Sequence, residues 1–336
     1  MCQTLTLTRT KVLNAFNLRL LSQLHSLLSI HDSRRLVLRG AGRAFCAGGD
    51  VVHLSKHLSD CEAFFRETYS ACYRLDARKG WSVAFMKGVT MGGGAGLSYA
   101  CKARVALPST IWAFPETSLG SVPDAGANYV LTRLSSGAVG RYLALTGERL
   151  NGADCFYLGI ATHYLPDDKL EPALEAEIST CEDPIVALAQ ACIVPDRSLC
   201  KVLRDQAEIE NAFGQAASVE EILVRLRANK SPWADRTMVA LGFMCPLSLK
   251  VEFRALEIAV GLDYGQCLDL EYDMVVQMTI IRSANYREGV QHRLVRKEKS
   301  RPQWVPSTLS EVDPVEIQAC LENPTGPKLR THAIQN

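Results

Sequence analysis

The stretch that most restricts how this chain can fold is GVTMGGGAGLSYA, residues 88–100, which places three consecutive glycines at the border of an apolar run. Glycine within regular structure costs roughly 0.5 to 1 kcal/mol relative to alanine, so Gly92, Gly93, Gly94 and Gly96 need a compensating role. One such role is a tight, closely packed turn between a strand and a helix. The other is a backbone N–H brought close to a ligand, because only a residue without a Cβ lets the main chain approach so closely. The residues alone leave both roles open.

Composition limits the classes of protein that need to be considered. The chain has 336 residues, of which 47% are hydrophobic and 22% charged, with a formal net charge of +1. These values are typical of a globular protein and predict neither nucleic acid nor an anionic membrane as a partner. No apolar run approaches the 18 or so residues of a membrane-spanning helix. The 12 cysteines include no CxxC pair, so we expect reduced thiols of an intracellular protein and no metal site.

Short apolar strands alternate with helical patterns over the first half of the chain. MCQTLTLTRT alternates like a strand from the first residue, which leaves no visible signal or transit peptide, and Leu20, Leu21, Leu24, Leu27 and Leu28 follow at helical spacing. The later strand candidates are RRLVLRG, WSVAFMKGV, CKARVAL and IWAFPE. This alternation predicts an α/β fold.

From about Asp168 the pattern becomes entirely helical. Ser218 and Glu221 have the spacing of a capping box before ILVRLRANK, and PLSLKVEFRALEIAVG is a second amphipathic run. Leu268, Tyr272, Val275 and Thr279 share one face of a third helix, and RPQWVPSTL is expected to end this part as an extended tail.

Common nucleotide-binding and nucleophile motifs have little support. Neither GxGxxG nor GxxxxGK[ST] occurs. GLSYA only approaches the GxSxG elbow of serine hydrolases, so Ser98 is expected to be a helix residue, and His163 in ATHYL is expected to be structural.

Three loops that follow strands carry the remaining candidates. GAGRAFCAGGD and the glycine triplet can both expose main-chain N–H groups, and FPETSLGSVPDAG carries Glu116 and Asp124 eight residues apart. Two N–H donors that converge beside a carboxylate are what acyl chemistry at a thioester carbonyl requires. Asp50, which ends the first loop, is expected to cap the helix that follows it.

The motifs AFCAGGD, GVTMGGGAGLS, FPETSLGSVPDAG, YLALTGERLNGAD and GIATHYL occur here in the order found in one superfamily. Together they resemble the enoyl-CoA hydratase/isomerase (crotonase) superfamily. CPLSLKVEFRALE, LEYDMVVQM and NYREGVQHRLV further resemble its 3-hydroxyisobutyryl-CoA hydrolases. The resemblance implies a crotonase-type spiral of ββα units with a helical C-terminal region. Residues 1–200 would form the acyl-CoA-binding catalytic core, and residues 201–336 would be helical and pack on it.

The resemblance also implies roles for particular residues. The N–H groups of Gly49 and Gly93 would form the oxyanion hole for the thioester oxygen, and Glu116 would attack the carbonyl or activate a water. Asp124 would bind the 3-hydroxyl group of the substrate. Thr68, Gly93, Glu116 and Asp124 are thus the expected substrate-binding residues. The products would be a free 3-hydroxy acid and coenzyme A, with no metal or cofactor beyond the CoA of the substrate.

Some positions depart from these patterns. Enoyl-CoA hydratases carry a second glutamate where this chain has Gly96, so a two-carboxylate hydration mechanism is not expected. Thr68 replaces a glutamate of the hydrolases, and Ala127 and Asn128 stand where the family has glycines, which could narrow the acyl pocket.

Alternatives to the hydrolase therefore remain open. They are an enoyl-CoA hydratase or isomerase, a non-catalytic acyl-CoA-binding protein and, more remotely, a serine thioesterase that uses Ser98. Mitochondrial localisation is implied by the resemblance alone, and a homo-oligomer is left open.

Overall fold

The computed structural model describes residues 2–29, 32, 34–324, 326–331 and 334 of the chain. Among the residues described in the first half of the sequence, eight short strands are formed. In chain order they are β1 (Cys2–Leu7), β2 (Arg35–Gly40), β3 (Ala44–Cys46), β4 (Ser82–Met86), β5 (Val89–Met91), β6 (Ala103–Ala106), β7 (Ile111–Ala113) and β8 (His163–Tyr164).

The strands form two parallel sheets. The larger sheet has the order β1-β2-β4-β6-β8, and the smaller has the order β3-β5-β7. From β2 onward, successive strands alternate between the two sheets. The consecutive pairs are β2 with β3, β4 with β5 and β6 with β7, and each pair is followed by a helix or helical turn. This repeat is the predicted spiral of ββα units. Strand β4 is buried along its whole length, as expected for a parallel sheet covered on both faces.

Helices make up most of the remaining structure. The α-helices are α1 (Leu18–Leu27), α2 (Val51–Leu54), α3 (Cys61–Ala77), α4 (Gly93–Tyr99), α5 (Ala127–Thr132), α6 (Gly137–Thr146), α7 (Gly152–Tyr157), α8 (Glu171–Thr180), α9 (Pro184–Ala191), α10 (Lys201–Arg204), α11 (Gln206–Phe213), α12 (Val219–Ala228), α13 (Pro232–Phe243), α14 (Pro246–Ala259), α15 (Tyr264–Val275), α16 (Ser283–Val290) and α17 (Pro314–Glu322). Two π-helical segments, Val276–Ile281 and Gln291–Val295, continue α15 and α16. No helix among the described residues is both long enough and apolar enough to cross a membrane.

The helical C-terminal region shares its hydrophobic core with the sheets. One buried cluster joins Phe16 and Leu97 to Leu268 of α15. A second joins Trp112 of β7 to Leu249 of α14. Side chains on both sides of residue 200 therefore stabilise each other, and the division of the chain at that residue stays a prediction.

Two details of the helical part differ from the sequence-based expectations. Ser218 caps α12 by accepting the Glu221 N–H at 3.1 Å, but the Glu221 carboxylate accepts the N–H of Ala217 rather than that of Ser218, so the capping box is displaced by one residue. RPQWVPSTL is not the final element, because α17 follows it and Cys320 and Leu321 of α17 are buried. The proline-rich segment is a connection between helices.

The cysteines are free thiols. Nine of them are buried, and Cys2, Cys181 and Cys192 are partly exposed. Burial raises the pKa of Cys46 and Cys101 to about 12, so these thiols stay protonated at neutral pH.

Candidate active site

Four glycines of the stretch 88–100, Gly92, Gly93, Gly94 and Gly96, lie where strand β5 leads into helix α4, and all of them except Gly93 are required by packing or backbone conformation. A Cβ built on Gly94 would lie 2.3 Å from the carbonyl oxygen of Cys46, and one built on Gly92 would lie 2.5 Å from Oε1 of Glu116. Gly92 also has a φ of +53°, which favours glycine. A Cβ on Gly96 would lie 2.1 Å from the carbonyl oxygen of Ala125. The expectation of a closely packed strand-to-helix turn is confirmed for these positions.

Gly93 is different, because a Cβ there would meet no atom closer than 3.6 Å. As the first residue of α4, Gly93 has an N–H that no carbonyl of its own helix can accept. The Gly49 N–H, in the neighbouring loop after β3, likewise has no acceptor among the described residues. The backbone of Gly48 lies against the Gly93 nitrogen, since a Cβ on Gly48 would be 3.3 Å from it. Two unpaired N–H donors are thus presented from adjacent loops.

Both loops open into a cavity of about 820 Å³. Every residue that the sequence analysis assigned to the site lines this cavity, namely Gly49, Thr68, Gly93, Glu116 and Asp124. The volume is within the usual range for small-molecule sites, and the lining is largely apolar. Among the described residues, no three His, Cys, Asp or Glu side chains are placed to share a metal ion.

Glu116 lies directly after strand β7, in the helical turn Glu116–Leu119. Its Oε1 faces the Cα of Gly92, and its Oε2 has no hydrogen-bond partner among the described residues. Burial raises the pKa of Glu116 well above its usual value, and the negative charge of Asp124 raises it further. Both effects make the Glu116 carboxylate a stronger base than a glutamate in water, which is the direction that favours a general base.

Asp124 is buried beside Tyr69, whose hydroxyl group donates to its Oδ2 at 2.7 Å. Burial raises the pKa of Asp124 to about 6, although the hydrogen bond from Tyr69 opposes the increase. Ala125 and Gly126 follow with φ values of +58° and +92°. This left-handed pair turns the chain into α5 and brings the Ala125 carbonyl against Gly96.

Sequence reasoning missed two buried glutamates in the helical region. Glu252 of α14 and Glu271 of α15 are both fully buried. Burial raises the pKa of Glu271 to about 8, and it raises that of Glu252 well above the usual value. The signal was present in the sequence. Glu271 falls between Leu268 and Tyr272 on the apolar stripe of its helix, where a charged side chain is costly.

The departures from the family patterns have local explanations. The Thr68 hydroxyl group donates to the carbonyl oxygen of Phe64 at 2.8 Å, and the Thr68 methyl group lies near Gly93. Ala127 and Asn128 are buried at the start of α5 and do not line the cavity, so their extra volume does not narrow it.

The remaining candidates make the local contacts expected of structural residues, although Asp50 also lines the cavity. The Ser98 hydroxyl group donates to the carbonyl oxygen of Ala95 within its helix, and Ser98 does not line the cavity. Asp50 caps α2 through the His53 N–H and pairs with Arg9 at 3.0 Å. His163 lies in strand β8, opposite Val105.

Comparison with known proteins agrees with this architecture. The sequence pattern of the Enoyl-CoA hydratase/isomerase family matches residues 2–321. A crystal structure titled as a carnitinyl-CoA dehydratase from Mycobacterium thermoresistibile is 28% identical, with a TM-score of 0.89, and the match covers 98% of this chain and 95% of that one. A structure titled as an enoyl-CoA hydratase from Rhodobacter sphaeroides 2.4.1 has a TM-score of 0.81, also at 28% identity, over 97% and 96% of the two chains. The chain therefore belongs to the enoyl-CoA hydratase/isomerase family.

Within that family, the chain is similar to proteins that are named 3-hydroxyisobutyryl-CoA hydrolases. "3-hydroxyisobutyryl-CoA hydrolase, mitochondrial" of Gallus gallus is 34% identical, and the match covers 95% of this chain and 86% of that protein. "3-hydroxyisobutyryl-CoA hydrolase-like protein 1, mitochondrial" of Arabidopsis thaliana is 38% identical, over 88% of this chain and 77% of that protein.

Proposed function

We propose that the protein hydrolyses the thioester of a short 3-hydroxyacyl-CoA, with 3-hydroxyisobutyryl-CoA, named by its relatives, as the first candidate. The observation that carries this proposal is the position of Glu116. Its carboxylate faces the Gly92–Gly93 peptide, next to two N–H groups that have no acceptor. A carbonyl group bound by those donors would have a carboxylate beside its carbon atom, which is the arrangement needed for acyl transfer to water.

In the proposed mechanism the Gly49 and Gly93 amides stabilise the negative charge that develops on the thioester oxygen. Removal of one such donor in other enzymes costs about 100- to 1,000-fold in rate. Glu116 either attacks the carbonyl carbon or removes a proton from an attacking water. The carbon–sulfur bond then breaks and its electron pair stays on sulfur. If Glu116 attacks, an acyl-glutamate anhydride forms, and water hydrolyses it to the free acid and Glu116. In both routes the proton released from water goes to the CoA thiolate.

Asp124 is assigned to recognition of the substrate 3-hydroxyl group. Asp124 lines the cavity, and Tyr69 donates to its Oδ2, so Oδ1 is the oxygen left to accept a hydrogen bond from a substrate. A carboxylate is a strong acceptor for a hydroxyl group. This arrangement favours hydroxylated acyl groups over their unsubstituted counterparts.

Hydration of an enoyl-CoA is the second candidate, because the two similar crystal structures carry dehydratase and hydratase titles. The second glutamate of hydratases would have to stand at residue 96, where the Ala125 carbonyl leaves no room for any side chain. Asp124, whose charge acts on Glu116 across the cavity, would then have to serve as its partner. Hydrolysis needs no second acid and is therefore favoured.

The test is release of free thiol from purified protein with 3-hydroxyisobutyryl-CoA, isobutyryl-CoA and the corresponding enoyl-CoA, each with a chelator present. We expect thiol release that is fastest with the hydroxylated thioester and unaffected by the chelator, since carboxylate and amide groups suffice for the mechanism. Loss of enoyl absorbance without thiol release would indicate the hydratase. Tight binding without turnover would indicate a non-catalytic relative. The compartment named for the relatives, the mitochondrion, is proposed for this chain as well.

A further inference from the structure

Glu271 lies deep in the molecule, on the face of α15 that packs against the catalytic core. It is fully buried and does not line the cavity. A buried carboxylate is costly unless hydrogen bonds replace its lost water. The partners of Glu271 therefore indicate what it does.

Both carboxylate oxygens of Glu271 accept hydrogen bonds from the loop that follows Asp124. Oε2 accepts from the Gly126 N–H at 2.6 Å, and Oε1 accepts from the Asn128 N–H at 2.7 Å. These N–H groups lie where Ala125 and Gly126 take left-handed conformations. The backbone N–H groups of such a turn form a concave site for oxygen acceptors, and here the two acceptors are the carboxyl oxygens of a side chain from a distant helix.

Asp124 immediately precedes this turn and is held from two further directions. The Tyr69 hydroxyl group donates directly to its carboxylate, and the Ala125 carbonyl is packed against Gly96. Tyr69 fixes one oxygen of Asp124 but does not fix the path of the main chain. Glu271 bonds to the main chain itself.

We propose that Glu271 is a positioning residue that sets the position of the Asp124 carboxylate through the N–H groups of Gly126 and Asn128. The role rests on the proposed function, since it concerns recognition of the substrate 3-hydroxyl group. Glu271 touches neither substrate nor reacting atoms in this role. It acts through the backbone, so its loss should alter the preference between acyl groups more than it alters attack on the thioester.

Glu252 supplies a matched control. It is also a fully buried glutamate, on the neighbouring helix α14, and its pKa is raised by burial first and then by the negative charges of Glu271, Glu116 and Asp124. Neither of its carboxylate oxygens has a hydrogen-bond partner among the described residues. Glu252→Gln therefore removes a buried carboxyl group without releasing the Asp124 loop.

The experiment compares Glu271→Gln, Glu271→Asp and Glu252→Gln with the unaltered protein. The glutamine keeps the size of the side chain, but its NH₂ group cannot accept an N–H. For each protein, kcat/KM is measured on 3-hydroxyisobutyryl-CoA and on isobutyryl-CoA, together with the melting temperature. Since a misplacement of 1 Å can cost about 100-fold, we expect Glu271→Gln to lose about 10- to 100-fold on the hydroxylated substrate and only a few-fold on the other. Glu252→Gln should keep the ratio between the two substrates.

Equal proportional losses on the two substrates in Glu271→Gln would overturn the positioning role. So would failure of both Glu271 variants to fold, since Glu271 would then serve only the stability of the chain. Affinities for non-hydrolysable thioether analogues, with and without the hydroxyl group, separate this inference from the proposed function. If the unaltered protein releases no thiol, the proposed function fails, and the affinity ratio still tests Glu271.

Discussion

Replacing Gly96 by alanine is expected to displace the loop that carries Asp124. The new Cβ would lie 2.1 Å from the carbonyl oxygen of Ala125 and 2.7 Å from its Cβ. Ordinary contacts of this kind begin at 3.4 Å. Helix α4 and the loop must therefore separate by about 1.3 Å, because neither contact is with a flexible side chain that could move aside.

That displacement sets the size of the expected effects. A misplacement of about 1 Å can cost about 100-fold in rate, and here the displaced group is the one assigned to the 3-hydroxyl. Overpacking of a core costs about 1 to 3 kcal/mol, while alanine in place of glycine in a helix returns up to about 1 kcal/mol. We therefore expect kcat/KM for 3-hydroxyisobutyryl-CoA to fall by about 100-fold, with a destabilisation of up to about 2 kcal/mol.

The assay measures thiol release from 3-hydroxyisobutyryl-CoA and isobutyryl-CoA, together with thermal unfolding. Gly242→Ala is the matched control, because Gly242 lies in helix α13 and a Cβ there would meet no atom within 4 Å. It should leave activity unchanged and raise stability by up to about 1 kcal/mol. If Gly96→Ala kept both the stability and the substrate preference of the unaltered protein, the Asp124 loop would not be held against residue 96, and the steric argument against the hydratase would fail with it.

Three other predictions concern the acidic side chains. Glu116→Gln should lower the rate of thiol release by at least about 100-fold with little change in melting temperature. The amide keeps the size of the side chain but can neither attack the carbonyl carbon nor accept a proton. Hydrolysis within a few-fold of the unaltered protein would show that Glu116 is not part of the mechanism. The unaltered protein should prefer the hydroxylated substrate by about 5- to 150-fold, because a substrate without the hydroxyl group leaves a buried polar group unpaired at a cost of about 1 to 3 kcal/mol. Asp124→Asn should reduce this preference. Equal losses on both substrates would contradict the role of Asp124 in binding the hydroxyl group. The free energy of unfolding should decrease as the pH rises from about 4 to 8. In the folded state the pKa of Asp124 is about 6 and that of Glu271 is about 8, against usual values of 3.8 and 4.5. Over this range the folded state therefore binds more protons than the unfolded state, and raising the pH removes that stabilisation. Chemical denaturation at several pH values measures this slope, and stability that increased over that range would show that these carboxyl groups are not protonated in the folded state.

Much of the fold follows from local patterns. Strands β2, β4 and β6 of the larger sheet are the predicted short apolar runs, and most of the leucines at helical spacing lie in α1, because periodicity reports which face of an element is buried. Helix α17 was missed because it lies beyond a proline-rich connection. The shift of the capping bond from Ser218 to Ala217 depends on a single backbone turn that spacing does not determine.

The candidate site was recovered through the resemblance of its motifs, since isolated glutamate and aspartate residues in loops have no distinguishing pattern. Which glycine serves which purpose could not be predicted. The roles of Gly94 and Gly96 depend on backbone atoms of Cys46 and Ala125, which are distant in the sequence. Tyr69 and Glu271 were missed for a related reason, because their importance lies in hydrogen bonds to Asp124 and to the loop that follows it.

The burial of the cysteines has a practical consequence for every assay proposed above. Disulfide reagents react with thiolates, so buried and protonated thiols react slowly with the folded protein. The colour that develops then reports mainly the CoA thiol that each turnover releases, above a small constant contribution from at most the three partly exposed cysteines. If a variant unfolds, its nine buried thiols also become reactive, and the same reagent records a stoichiometric burst that does not depend on substrate. A single reagent can therefore distinguish an inactive folded variant from an unfolded one.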